Sequence, residues 1–471
     1  MPCILKAVIN IASRDSCGAG MIRLRNWMRG WWDVLSFILR ILDPKQKFVI
    51  VIFIMALLGT LYSLYNSFIG NAVINSAISL IALVDSLVWI RGNAEWRALD
   101  EDRKPDPELT KLIQKIELSD EYVNSGYQKE CVPRSEEEYI VRSERVDSMI
   151  RERGNDFQIE YCRELIDRIL SKLQANAYRY KNVLQFKRQS ASRKGKLFFN
   201  ESKTCLGSDM LCESKSAKIY KGEYFISILT NEIVKDRYVR HYNGYEEFIY
   251  FGHQEFPLVY INDERFILKS IEESRMGNHI GVSTIAHTND KKIVIWKQMQ
   301  TALQNTDKLV STGSGSSDYK DWEKSGSDSS LLQLIKVSMN REFLEESTSR
   351  SKYLKDRGED DLVPKTWVVG FFRWLRRGGK PEFVGITKTS VDAIELSPDG
   401  KEVIDSDEIV AYDAKTICDF IKSLQDIIDS KRISIGVSLY ANARVLIEAA
   451  EEKPDELANF LDIYNNYSED A

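Results

Sequence analysis

Residues 341–346 read Arg-Glu-Phe-Leu-Glu-Glu. Glu342, Glu345 and Glu346 stand at i, i+3 and i+4, so a helix carries all three carboxylates on one face. Leu331, Leu332, Leu334, Ile335 and Val337 come just before them, and their spacing makes this a partly buried helix. Three clustered carboxylates repel one another unless a cation neutralises them. Hard oxygen donors in such a cluster suit Mg²⁺ or Mn²⁺, and a metal held there bridges phosphate oxygens and activates a water. A solvated acidic helix face gives the same spacing, so the surroundings have to decide.

On the N-terminal side, Asn278 to Ile285, the pair Asn289-Asp290 and Ile293 to Trp296 read as a β-hairpin with an Asn-Asp turn. Gly313-Ser314-Gly315-Ser316 follows. On the C-terminal side, Trp367 to Trp374 and Pro381 to Thr387 read as two strands around the turn Arg376-Arg377-Gly378-Gly379-Lys380. In this setting residues 341–346 resemble the Nudix box, with Arg341, Glu342, Phe343, Glu345 and Glu346 matching. The chain departs from that pattern at Gln333, where the family has a Glu, at Ser327, where it has its first Gly, and at Thr348 and Ser349, where it has the closing Gly and an apolar residue. The resemblance covers roughly 275–450. It implies an α/β/α sandwich and Mg²⁺ or Mn²⁺ held by Glu342, Glu345 and Glu346. With Arg341 these would form the catalytic set for cleaving nucleoside diphosphates linked to another moiety.

Arg373, Arg376, Arg377 and Lys380 put four cations in and beside a Gly-Gly turn. Guanidinium forks bind phosphate bidentately, and glycine lets backbone N–H groups approach an anion. Trp374 is expected to stack on a base and Glu382 to accept from an exocyclic amine. A charged hairpin at the surface is the plainer alternative. His279 and His287 read as strand residues rather than ligands.

Apolar residues make up 43% of the 471 and charged residues 29%, an ordinary folded composition long enough for two or three domains. A net charge of −5 gives no argument for binding duplex nucleic acid. Cys3, Cys17, Cys131, Cys162, Cys205, Cys212 and Cys418 form no close pairs and read as reduced thiols.

From Phe48 to Val84 no residue is charged. One helix of that length would reach about 55 Å, against a hydrocarbon core of roughly 30 Å. Two spans near 48–67 and 72–90 are therefore expected, forming a two-span transmembrane hairpin over 48–91. Basic residues flank the hairpin and its short turn has none, which places both termini in the cytoplasm. Residues 1–47 read as a basic amphipathic segment, with 24–42 as a helix lying on the inner leaflet. Asp85, inside the second span, is a functional candidate. Residues 92–190 read as a linker with a short helix near 107–117, followed by a helical stalk over 135–188. Residues 191–274 read as a β-rich extension with strands at Lys196–Phe199, Ala217–Tyr220, Phe225–Leu229, Phe248–Phe251 and Leu258–Ile261, and 275–471 as the Nudix-like domain.

The expected class is thus α+β, with the membrane hairpin, the stalk and a cytosolic head. This architecture resembles the transmembrane–Nudix effectors of bacterial cyclic-oligonucleotide antiphage signalling (CBASS). The resemblance implies a bacterial inner-membrane protein that assembles as a homo-oligomer. Its head would bind a nucleotide or cyclic oligonucleotide messenger, and its membrane part would disrupt the lipid bilayer and arrest growth. A membrane-anchored Mg²⁺-dependent Nudix hydrolase is the other reading.

Overall fold

A computed structural model describes residues 29, 32–34, 36–37, 40, 104–135, 137–153, 157–175, 183–184, 187–188, 190–191, 198–242, 245–298, 308–326, 330–348, 364–397, 409–430 and 434–467. The chain divides into two compact units, one drawn from 1–104, 167–200 and 237–250, the other from 105–166, 201–236 and 251–471.

Strands run in chain order as β1 (Lys104–Pro105), β2 (Ile116–Glu117), β3 (Gln128–Cys131), β4 (Tyr139–Arg142), β5 (Gln158–Tyr161), β6 (Ser202–Leu206), β7 (Ser216–Glu223), β8 (Asp236–Tyr242), β9 (Tyr245–Phe251), β10 (Val259–Asn262) and β11 (Arg265–Leu268). They continue as β12 (Gly281–His287), β13 (Lys292–Gln298), β14 (Lys308–Val310), β15 (Gly313–Ser316), β16 (Lys365–Trp374), β17 (Lys380–Lys388), β18 (Ile409–Asp413) and β19 (Ser434–Ile435). The helices used below are α1 (Pro107–Lys115), α2 (Glu144–Arg153), α3 (Glu164–Ala175), α4 (Tyr224–Thr230), α5 (Tyr319–Ser325), α6 (Leu331–Ser347), α7 (Ile417–Asp429) and α8 (Val437–Glu452).

In the first unit, the Asp33 carboxylate accepts the Asn200 N–H at 3.0 Å and Val34 and Phe37 are buried. The small sheet β1-β8-β9 lies mainly in this unit.

The second unit is built on a ten-stranded sheet of order β19-β14-β13-β12-β17-β16-β4-β3, with β15 paired to β12 and β18 to β13. All seven residues of β12 are buried, which marks it as a central strand covered on both faces. It runs parallel to β17 from Gly281↔Glu382 to His287↔Lys388. Along its other edge it pairs first with β15 and then with β13. Sharing one edge between two partners curls the sheet into a half-barrel. Hydroxyls inside the strand are satisfied sideways, Ser283 on Ser311 at 2.7 Å and Thr284 with Thr387 at 2.6 Å.

Alternation along the strands supplies the two faces. Ala286, Val294, Trp296 and Val310 pack with Phe343 of α6. Ile285, Val384, Ile386 and Phe372 pack with Phe420, Leu424, Val445 and Leu446 of α7 and α8. Asn442 of α8 donates to the sheet carbonyls of Ser283 and Gly385, at 3.3 and 2.9 Å. The chain mixes helix and sheet, with its large sheet curled into a half-barrel, and the strands expected on either side of residues 341–346 form as β12, β13, β16 and β17.

Three expectations are corrected. Among the described residues no helix is long and apolar enough to cross a membrane. The N-terminal transmembrane hairpin and the inner-membrane placement built on it are therefore not supported, and the two expected spans lie outside the described residues. The helical stalk over 135–188 is interrupted: β4 precedes α2, and β5 separates α2 from α3. Tyr139–Arg142 leaves the helical pattern because it bridges β3 and β16 in the large sheet. Phe225–Leu229, expected as a strand, lies in α4, where residues 225–230 are all buried; a short apolar run buried on every side fits either state.

Candidate functional site

Ser330 caps α6 by accepting the Gln333 N–H at 3.2 Å, and the helix then lies directly on β15. Glycine permits that approach. A Cβ on Gly313 would stand 2.8 Å from the Phe343 backbone, and one on Gly315 would stand 2.2 Å from a Glu342 carboxylate oxygen. Two of the three box carboxylates are used here. Glu342 Oε1 accepts the Ser316 N–H at 3.2 Å and Glu346 Oε2 accepts the Ser314 N–H at 2.7 Å. Both residues are under 9% exposed. Glu345 faces solvent with a side chain 57% exposed.

Arg341 fills the space between α6 and α5. It donates to Asp321 at 2.9 Å, to the Ser316 carbonyl at 2.9 Å and to Glu345 at 3.0 Å, and its Nη1 lies 3.0 Å from Glu342. Burial pulls its pKa down, but Glu342 and Asp321 outweigh that and hold the guanidinium well above its ordinary range. Asp318 starts α5, its side chain and that of Asp321 each taking a backbone N–H in a reciprocal cap. Asp318 also pairs with Lys203 at 2.5 Å and Lys320 at 3.1 Å. Burial alone would raise its carboxyl, yet Lys203 and Arg341 bring it below the usual range.

This donor set does not fit Mg²⁺ or Mn²⁺. The Glu342 and Glu346 oxygens are directed at strand amides, Glu345 turns to Arg341, and a guanidinium occupies the centre where a cation would neutralise the cluster. Among the described residues no group of three or more His, Cys, Asp or Glu is placed to hold a metal ion. The matched residues form a hydrogen-bonded brace between α6, β15 and α5.

The basic turn is not an open phosphate clamp either. Arg373 is fully buried. It donates to the Gly379 carbonyl at 3.1 Å, to the Lys269 carbonyl at 2.8 Å and to the Tyr122 hydroxyl, with Asp209 at 3.4 Å. Arg376 pairs with Glu137 at 2.8 Å. Arg377 donates to Glu232 at 2.6 Å and lies 4.9 Å over the Trp374 ring. The Trp374 indole in turn donates to Glu138 at 2.6 Å. Lys380 bonds Glu382 inside the sheet, and burial draws its ammonium down to about 8 against the attraction of Glu382. The turn itself closes on Gly378 and Gly379, both at φ +67°, where a side chain would be strained.

His287 ends β12, and His279 lies just before that strand in a lone bridge to Cys205. His279 is buried and its pKa lies well below the ordinary value, driven by burial and then by Lys380 and Arg377. Burial brings His287 down to about 4.

Sequence reading missed Asp318, Asp321 and Lys203, the partners that fix Arg341. The signal was present in Asp318-x-x-Asp321, the spacing of a helix cap. It also missed an aromatic group beside them. Tyr161 and Trp322 have ring centres 5.4 Å apart, Tyr319 and Trp322 meet edge-on at 5.4 Å, and the Lys221 ammonium stands 4.2 Å over the Tyr319 ring. No family model matches the chain, and no curated protein does.

Proposed function

We propose that this chain is a nucleotide receptor whose Nudix-like head captures its ligand without metal-driven hydrolysis. One observation carries the reading: Glu342 and Glu346, the residues that would hold a catalytic metal, accept strand amides instead. The order of strands around α6 supports the Nudix-like likeness. The replacements Gln333, Thr348 and Ser349 fit a box that has lost its catalytic frame. In this reading Arg341, Glu342 and Glu346 set the position of β15 and α5, and the ligand's occupancy is the signal. The test is a titration of the full chain with ATP, GTP and cyclic di-AMP, with EDTA and with MgCl₂, following both thermal stability and product by chromatography. Stabilisation by a nucleotide in EDTA with no product is expected. Metal-dependent product formation would replace the receptor with a hydrolase.

A further inference from the structure

The aromatic group at the end of β5 and on α5 has the chemistry of a base-stacking site. Tyr161 ends β5 and is 47% exposed. Tyr319 and Trp322 stand three apart on α5, which brings both rings to one side of the helix. Trp322 keeps its indole N–H buried with no hydrogen-bond partner among the described residues. That donor is closed off from solvent, so the face this group presents outward is the Tyr161 ring. Lys221, exposed on β7, supplies a cation at the same place. Lys320, with a side chain 52% exposed, stands on α5 beside Tyr319. An exposed flat ring beside ammonium groups suits a heteroaromatic base carrying phosphate. An acyl chain would need none of the polar groups.

We propose that the exposed Tyr161 ring, backed by Trp322, stacks the base of the nucleotide and that Lys221 takes its phosphate; this rests on the receptor reading above. The site also has a route to the brace. Asp321, on the same helix as Trp322, holds Arg341 at 2.9 Å, so a base resting on Tyr161 and Trp322 bears on α5 and through it on α6.

The experiment titrates the full chain in EDTA with ATP, GTP and cyclic di-AMP, with inorganic phosphate as the control. Binding is read by calorimetry and by tryptophan emission. Tyr161→Ala and Lys221→Ala should each weaken the best-bound probe about tenfold, and Tyr161→Phe should keep affinity near that of the parent. Both alanine changes are at exposed positions, so urea midpoints should stay at the parental value. The emission change on binding should vanish in Trp322→Phe. If the parent binds a probe and Tyr161→Ala and Lys221→Ala bind it equally well, the base sits elsewhere and only the receptor reading survives. If the parent binds none of the probes, both are overturned.

Discussion

Replacing Glu346 with Gln in the absence of metal separates a brace from a metal cluster by the sign of its effect. Glu346 is 7% exposed and accepts the Ser314 N–H at 2.7 Å. A hydrogen bond to a charged group contributes roughly 1.5–3 kcal/mol, about twice a neutral one. Gln keeps the shape and one acceptor oxygen and loses the charge, so the loss should be about 1 kcal/mol. Glu346→Ala leaves the Ser314 N–H unsatisfied under the helix and should cost about 2–3 kcal/mol. A cluster awaiting a metal behaves in the opposite way, because removing one of three mutually repelling carboxylates stabilises the metal-free protein. Urea unfolding in EDTA, repeated in excess MgCl₂, measures both. Glu346→Gln more stable than the parent in EDTA, together with a parent stabilised by Mg²⁺, would refute the brace.

Two further outcomes follow from the buried ionisable groups. Arg373→Met strands Asp209 and Tyr122 inside the second unit and should lower stability by about 3–5 kcal/mol; unchanged unfolding with weakened nucleotide binding would return the basic turn to a phosphate clamp. His287 titrates near 4 in the fold against 6.5 outside it, so the unfolded chain takes up the proton first. Its contribution is complete above about pH 6.5 and falls away toward pH 4, by about 3 kcal/mol in all. His287→Gln should flatten the pH dependence of the urea midpoint over that window, and an identical slope would remove His287 as the cause.

The part of the fold nearest residues 341–346 was legible because its signals are local. Alternation and an Asn-Asp turn define β12 and β13, the Gly-Gly turn defines the β16–β17 hairpin, and the apolar spacing from Leu331 onward defines α6. What was not legible depends on partners far along the chain. Tyr139–Arg142 is a strand because it pairs with β3 on one side and with the distant β16 on the other. The cations at 373, 376 and 377 read as available because their partners Asp209, Glu137 and Glu232 lie far upstream with no local pattern tying them together. Of the three glutamates expected on one helix face, Glu342 and Glu346 point at β15 and Glu345 turns to solvent. Their use could not be read, since strand amides in β15 compete with a metal for the same oxygens and leave no mark in the spacing.

The pairing of β4 with β16 has a consequence for how the protein is made. Arg142 leaves the ribosome about 230 residues before Phe372, its partner in the ladder. At ordinary elongation rates that gap lasts on the order of 10–50 s. Throughout it the β3–β4 ribbon carries an open row of amides and carbonyls, a template for pairing with whatever strand comes near. Arg142 blunts that risk, since it can be held early by Glu130 across the ribbon at 2.9 Å and by Asp147 just after it at 2.8 Å. A nascent chain stalled between these two points would expose a ready edge to its neighbours on the same message.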